Sequence, residues 1–292
     1  MTTDNTIALG ALLRQHGLHL KKGLGQNFLA DPVHLNRIVA AAELSRDDVV
    51  IEVGPGVGTL TARLASQAGR VIAVELDSSL LPALRETLAP YSNVTIVQGD
   101  ILQMNPAALA TLISPIPTNA PSDPLPSPHY KAVANLPYYI TSAAIRHLLT
   151  ATPPPALTVL TIQREVAQRI VAKPPEMSLL AVSVQFYAQP EIVARIPAGA
   201  FVPAPKVDSA ILRLRPWPTP PVEVPDPETF FAVVRAGFGQ RRKQLRNSLR
   251  GNLGLTQGQV DAMLARAGVD GQRRAETLTL EEWGRVGEYH SG

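Results

Sequence analysis

The chain has 292 residues, 45% of them apolar, enough for one sizeable core and a smaller second one. Its 27 Lys and Arg against 24 Asp and Glu leave a formal charge of +3, too weak an imbalance to name a polyanionic partner, so the placement of the charges has to decide. The absence of cysteine excludes disulfides, thiolate metal sites and cysteine nucleophiles, and the absence of a leader pattern or a long apolar window leads us to expect a soluble, cytoplasmic protein that meets no membrane.

In chain order, the first element is a helix begun by Asp31 as N-cap and Pro32 at the first helical position, with Leu35, Ile38, Val39 and Ala42 on one face. Apolar runs at 49–54, 71–76, 94–100, 131–138 and 157–163 read as strands, and their continuous apolar character marks strands buried on both faces. Helical stretches separate them, so the pattern predicts an α/β fold with a parallel sheet and crossover helices. Residues 115–130 carry six prolines and read as a long surface loop. "SLLAVSVQFYAQ" (178–189) and "KVDSAILRLRP" (206–216) alternate with period two and are expected to be antiparallel strands. A second proline cluster at 215–227 places the domain boundary near residue 220. On this reading 1–220 is the α/β domain. Phe230, Phe231, Val234, Phe238, Leu245, Leu249 and Leu253 then give 221–292 the spacing of a small all-helical domain.

The chemistry-bearing motifs cluster at the predicted strand ends. "IEVGPGVGTL" places Gly54, Gly56 and Gly58 between a strand and a helix, where a backbone without Cβ can approach a ligand at a helix N-terminus. Thr59 stands where the dinucleotide fingerprint has its third glycine, which disfavours NAD. Glu52, just before the loop, suits a ligand bearing a positive ammonium group better than a pyrophosphate. The E-x-G-x-G-x-G pattern resembles the first motif of S-adenosylmethionine-dependent methyltransferases. Glu75 ends the next strand, 21 residues after Gly54, the distance at which nucleoside sites place an acid for ribose hydroxyls. Asp100 ends the third and could receive an adenine amine. One such acid alone equally suits a helix cap; three behind one glycine loop point to a cofactor edge.

"NLPYYI" (135–140) ends the fourth strand. The Asn135 side-chain oxygen and a backbone carbonyl at Leu136 or Pro137 could accept the two N–H bonds of an adenine N6, leaving its lone pair facing a methyl donor. Pro137 stiffens that backbone, and Tyr138 offers a flat face for a base taken out of its stack. Between Arg235 and Arg250 lie six basic residues and no acid. Arg242, Arg246 and Arg250 recur at four-residue spacing, expected to line one helix face. The six histidines show no metal-ligand spacing, so no metal is expected.

Taken in order, "GLGQNFLAD" (23–31), "IEVGPGVGTLT" (51–61), "VIAVELD" (71–77), "QGD" (98–100), "NLPYYI", "FVPAPKVDSAILRL" (201–214) and "FGQRRKQLRNSL" (238–249) resemble the ribosomal RNA adenine dimethyltransferase family, and within it the bacterial small-subunit enzymes. The resemblance spans essentially the whole chain. It implies a Rossmann-like S-adenosylmethionine-dependent methyltransferase domain followed by a helical RNA-binding domain. The implied reaction is dimethylation of N6 on two adjacent adenines in a hairpin loop near the 3′ end of 16S ribosomal RNA, within an assembling 30S particle. It further implies that Asn27, Leu29, Gly54, Glu75, Asp100 and Asn135 line the cofactor pocket. Phe201 would sandwich the base opposite Tyr138, and Arg241, Arg242, Lys243 and Arg246 would meet RNA. Two departures from the family pattern, the long proline-rich loop and "KPPEMSLLAV" (173–182) in place of a tyrosine-glycine, concern loop conformations. The competing readings are the antibiotic-resistance branch acting on large-subunit RNA, a DNA adenine methyltransferase, which would more often carry aspartate in place of Asn135, and a non-catalytic assembly factor. The "RRKQLRN" segment and the substantial C-terminal domain favour the first reading over the branch, and the complete motif set favours catalysis over its loss.

Overall fold

The computed structural model describes residues 10–18, 27–113 and 129–289, and the chain divides into two units. The first comprises the chain up to Ala167 together with Glu191–Pro216; the second comprises Gln168–Pro190 and the chain from Trp217 onward.

In the first unit a short helix at 10–15 (α1) precedes β1 (Phe28–Leu29). Helix α2 (Pro32–Ala41) starts as expected, with Asp31 as N-cap accepting a hydrogen bond from the Val33 amide. There follow β2 (Val49–Val53), α3 (Thr59–Gln67), β3 (Arg70–Glu75), α4 (Leu81–Leu88), β4 (Val94–Gln98), α5 (Pro106–Ile113), β5 (Tyr130–Asn135), α6 (Thr141–Leu149), β6 (Leu157–Gln163) and α7 (Arg164–Val171). After α8 (Leu179–Gln185), which belongs to the second unit, come β7 (Ala188–Ile196), β8 (Phe201–Val202) and β9 (Ser209–Pro216). The main sheet runs β4-β3-β2-β5-β6-β9-β7. Strands β2 to β6 pair in parallel and β9 runs antiparallel to β6, with Ser209 opposite Gln163. β1 and β8 form a separate two-stranded ribbon in which Phe28 faces Val202 and Leu29 faces Phe201.

The parallel register decides where the site lies. Val53 aligns with Val74 and Ala134, and Asn135 with Thr161, so Gly54, Glu75, Gly99 and Asn135 emerge at one edge of the sheet. That edge, outside the carboxyl ends of the strands, is where open α/β sheets bind ligands. The apolar runs are buried as predicted except at β4, whose edge position leaves it half-buried. The proline-rich stretch at 115–128 lies outside the described residues.

In the second unit, α9 (Pro227–Phe238), α10 (Leu245–Leu253), α11 (Gln257–Ala267) and α12 (Leu280–Glu288) surround the buried Trp283 and Phe230. Two capping boxes, Thr256 with Gln259 and Thr279 with Glu282, start α11 and α12. The structure corrects one element here. Residues 178–187 do not form a strand, which begins only at Ala188 with β7: Ser178 caps helix α8 by accepting from the Ala181 amide at 3.1 Å. Met177, Ala181, Val182 and Phe186 are buried in the same core as Val233, Val234 and Trp283, and the Phe186 ring stacks on Phe230 at 4.9 Å. For the same reason 168–190 belongs with the helical unit, which differs from the expected division at residue 220.

Candidate active site

A cleft of about 280 Å³ opens at the carboxyl ends of the parallel strands. Its floor is the turn between β2 and α3, where Gly54 and Gly56 adopt φ of 68° and 61°, a region costly for residues with a Cβ. At Gly56 a Cβ would also lie 2.6 Å from the Phe28 ring, whereas at Gly54 it would meet nothing within 4 Å. Glu75 anchors this turn. Its Oε2 accepts from the Gly56 amide at 3.0 Å and its Oε1 from the Asp77 amide at 2.8 Å. Burial pushes the Glu75 carboxyl above the usual carboxylate range, and those two N–H groups pull against the shift. Asp100 caps the 3₁₀ turn Ile101–Gln103 with Oδ1, which accepts from the Leu102 amide at 2.9 Å. Capping and lining are therefore not alternatives for this acid, because it does both.

The opposite wall is Asn-Leu-Pro-Tyr. Asn135 Nδ2 donates to the Asn27 carbonyl at 3.1 Å, which fixes the side-chain amide at the cleft. The Leu136 amide donates to the Thr161 carbonyl of β6. The Pro137 carbonyl accepts from the Ile140 amide at 3.2 Å, closing the 3₁₀ turn Tyr138–Ile140, while no described group donates to the Leu136 carbonyl. Of the two carbonyls left open by the sequence, Leu136's is the freer. The Tyr138 hydroxyl bonds Ser209 Oγ at 2.9 Å, and burial raises the pKa of that phenol.

Of the residues expected here, Asn27, Gly54, Gly56, Glu75, Asp100, Asn135, Leu136, Pro137, Tyr138 and Phe201 all line the cleft. Leu29 and Glu52 do not. Leu29 sits on the opposite side of β1 from Phe28 and is 2% exposed in the core. Glu52 is 1% exposed within β2, and burial pushes its carboxyl up to about 8, with the Glu75 charge adding to the rise and the nearby Thr61 hydroxyl opposing it. A carboxyl buried within the strand and off the cleft lining does not present itself to a ligand in the cleft. Phe28, Leu76 and Tyr139 also line the cleft and were missed. Two-residue alternation through "NFLA" would have separated Phe28 from Leu29; nothing in the sequence marks Leu76. Residues 23–26 of the first motif lie outside the described residues.

In the helical unit, Arg241, Arg242 and Lys243 do not continue a helix face. They stand exposed in the turn between α9 and α10, and only Arg246 and Arg250 are on α10. The turn is built from α10: Ser248 Oγ and Asn252 Nδ2 both donate to the last-turn carbonyl of Ala236, and Ser248 Oγ accepts from the Gln240 amide. Among the described residues no acid pairs with Arg241, Arg242 or Lys243. Arg246 is half-buried, with its Nε lacking a partner.

A mostly parallel sheet with an antiparallel edge and a cleft at the carboxyl ends of its parallel strands puts the chain among the Rossmann-like methyltransferases. Residues 17–291 match the family described as ribosomal RNA adenine dimethylase, and the chain belongs to that family. It is 46% identical over 272 residues to a protein of Dehalococcoides mccartyi named ribosomal RNA small subunit methyltransferase A, covering 93% of this chain and 89% of the relative. A protein of the same name from Moorella thermoacetica is 44% identical over 278 residues, 94% of each. Among solved structures, the 23S rRNA methyltransferase ErmE is 31% identical with a TM-score of 0.68, covering 91% of this chain and all 100% of that one. A dimethyladenosine transferase from Plasmodium falciparum shares the fold at 22% identity and a TM-score of 0.69, covering 89% and 95%. Among the described residues no helix is long and apolar enough to cross a membrane.

Proposed function

We propose that the chain transfers methyl groups from S-adenosylmethionine to N6 of two adjacent adenines in 16S ribosomal RNA, acting on the small subunit as it assembles in the cytoplasm. The observation that carries this reading is the pinned amide of Asn135. With Nδ2 committed to the Asn27 carbonyl, the oxygen is the end left to accept, beside the unoccupied carbonyl of Leu136.

The cleft fits the cofactor. Open space at Gly54 lets the main chain approach a ligand closely, Asp100 keeps a second carboxylate oxygen beyond its cap, and Leu76 and Ile101 offer apolar surface for a ring. When bound, S-adenosylmethionine supplies a methyl group activated by its sulfonium. The chain's own residues do the rest. An adenine amine is a poor nucleophile because its lone pair is delocalised into the ring. Acceptors at Asn135 Oδ1 and the Leu136 carbonyl bond its hydrogens more strongly as the nitrogen becomes tetrahedral and positive, which favours the transition state over the ground state. Tyr138 and Phe201 hold the base ring by its faces. The exposed Arg241, Arg242 and Lys243 meet RNA phosphates, joined by Arg246 in the first turn of α10.

The small-subunit substrate is favoured by the relatives at 46% and 44% identity, against 31% for the 23S enzyme. Tritiated methyl transfer to small subunits, large subunits and naked RNA in parallel tests it. We expect label on small subunits, recovered as N6,N6-dimethyladenosine; label confined to large subunits would overturn the substrate assignment.

A further inference from the structure

We propose that Ser209 and Asp208 are positioning residues that set the two aromatic walls of the base slot, an inference resting on the roles given above to Tyr138 and Phe201. Ser209 is fully buried at the start of β9, and its hydroxyl is the 2.9 Å partner of the Tyr138 hydroxyl. The Tyr138 ring is thereby held at its far end as well as at its backbone. Asp208, the preceding residue, reaches the other wall. Its Oδ1 accepts from the Ala198 amide at 3.1 Å, which opens the 3₁₀ turn Ala198–Ala200 leading directly into Phe201.

Asp208 is itself well fixed. Oδ2 accepts from Arg195 Nε at 3.1 Å and from Arg195 Nη2, Arg164 Nη1 stands 3.8 Å away, and the main-chain carbonyl accepts from the Arg164 amide at 2.9 Å. One dipeptide thus bonds Tyr138 through a hydroxyl and the Phe201 turn through a carboxylate, while neither of its side chains lines the cleft. A tyrosine that merely packed would need only some partner for its hydroxyl. Here the partner belongs to the same two residues that hold the facing ring, so the spacing of the slot is set at one point. Flipped-base enzymes depend on such spacing, because stacking on both faces requires both rings to be in place before the base arrives.

The test is a double-mutant cycle on Ser209→Ala and Tyr138→Phe, with Asp208→Asn and Tyr138→Ala alongside. It is read as the single-turnover rate on small subunits at saturating cofactor, with cofactor affinity by calorimetry and particle affinity by filter binding. Ser209→Ala and Tyr138→Phe should each slow the rate about three- to tenfold, the effect of one lost neutral hydrogen bond. The double variant should be no slower than the slower single, because both remove the same bond. Asp208→Asn should slow the rate as well, and both affinities should stay at the wild-type value in Ser209→Ala and Asp208→Asn. Wild-type rate in Ser209→Ala, or losses that multiply in the double variant, would overturn the proposal. If Ser209→Ala does not fold, Ser209→Thr at wild-type rate with Tyr138→Phe slowed supports it, and Tyr138→Phe at wild-type rate overturns it. Tyr138→Ala separates the two levels: wild-type rate there would remove the stacking role itself, whereas a large loss there with Ser209→Ala unaffected removes only the positioning role.

Discussion

Asn135 Nδ2 and the main-chain oxygen of Asn27 are 3.1 Å apart, a bond that joins the end of β5 to the segment leading into β1 and leaves the amide with one functional end. The orientation of the acceptor is therefore set before any substrate arrives, the condition under which a polar group contributes most to a transition state. Asn135→Ala should lower the single-turnover methylation rate roughly a hundredfold or more, with particle binding little changed. A rate within twofold of wild type would exclude Asn135 as an acceptor for the reacting amine.

Glu75 and Asp100 are expected to make separable contributions to cofactor binding. Glu75→Gln keeps the size of the side chain but turns an N–H₂ toward either the Gly56 or the Asp77 amide, both of which now donate to it. Asp100→Ala removes the turn cap and the free carboxylate oxygen together. Each should weaken S-adenosylmethionine binding by on the order of 1.5–3 kcal/mol, measured by calorimetry on folded protein. Undiminished affinity in both variants would take these acids out of the binding edge.

Replacing Arg241, Arg242 and Lys243 together by alanine should weaken binding to the small subunit and reduce the slope of log affinity against log salt by about 2, since each phosphate contact contributes somewhat under one. Cofactor affinity, a property of the other unit, should not move. A triple variant that binds like wild type at every salt concentration would make this turn an ordinary solvated surface.

Glu52 gives a stability signature with a definite sign. Its carboxyl is raised in the fold from 4.5 to about 8, so between those pH values the folded protein holds a proton that the unfolded chain has released. The contribution of this group to stability is complete below the lower value and is lost progressively as pH rises to the upper one. Glu52→Gln does not titrate. Melting profiles should show the variant gaining on wild type across that window; parallel profiles would mean that Glu52 is ionised in the fold.

The legible parts of the molecule were those in which local chemistry and tertiary structure agree. Uninterrupted apolar runs between glycine and helix signals could only be buried parallel strands, and their shared register then forced Gly54, Glu75, Asp100 and Asn135 to one edge. Residues 178–189 misled because Val182 and Val184 alternate with small and polar residues as in a strand, while Ser178 supplies a cap and Phe186 a partner for Phe230 that only the distant helices reveal. The four-residue repeat of Arg242, Arg246 and Arg250 suggested one helix face. The Ala236 carbonyl instead takes its bonds from Ser248 and Asn252, which ends α9 early and leaves the first of these arginines in a turn. The sequence shows the position of Glu52 before a glycine loop but not its burial, so the carboxyl looks available as a charge. The Tyr138–Ser209 bond crosses 71 residues and leaves no local trace.

The helical unit is assembled from two separated stretches of chain, with the strands β8 and β9 of the other unit made in between. During synthesis, Met177, Ala181, Val182 and Phe186 leave the ribosome well before the helices that bury them, so this apolar surface waits for α9 to α12. The arrangement also restricts inheritance. A single crossover at the proline-rich junction near residue 220 would hand over α9 to α12 without the segment that completes their core, so the helical unit does not pass complete as one C-terminal cassette.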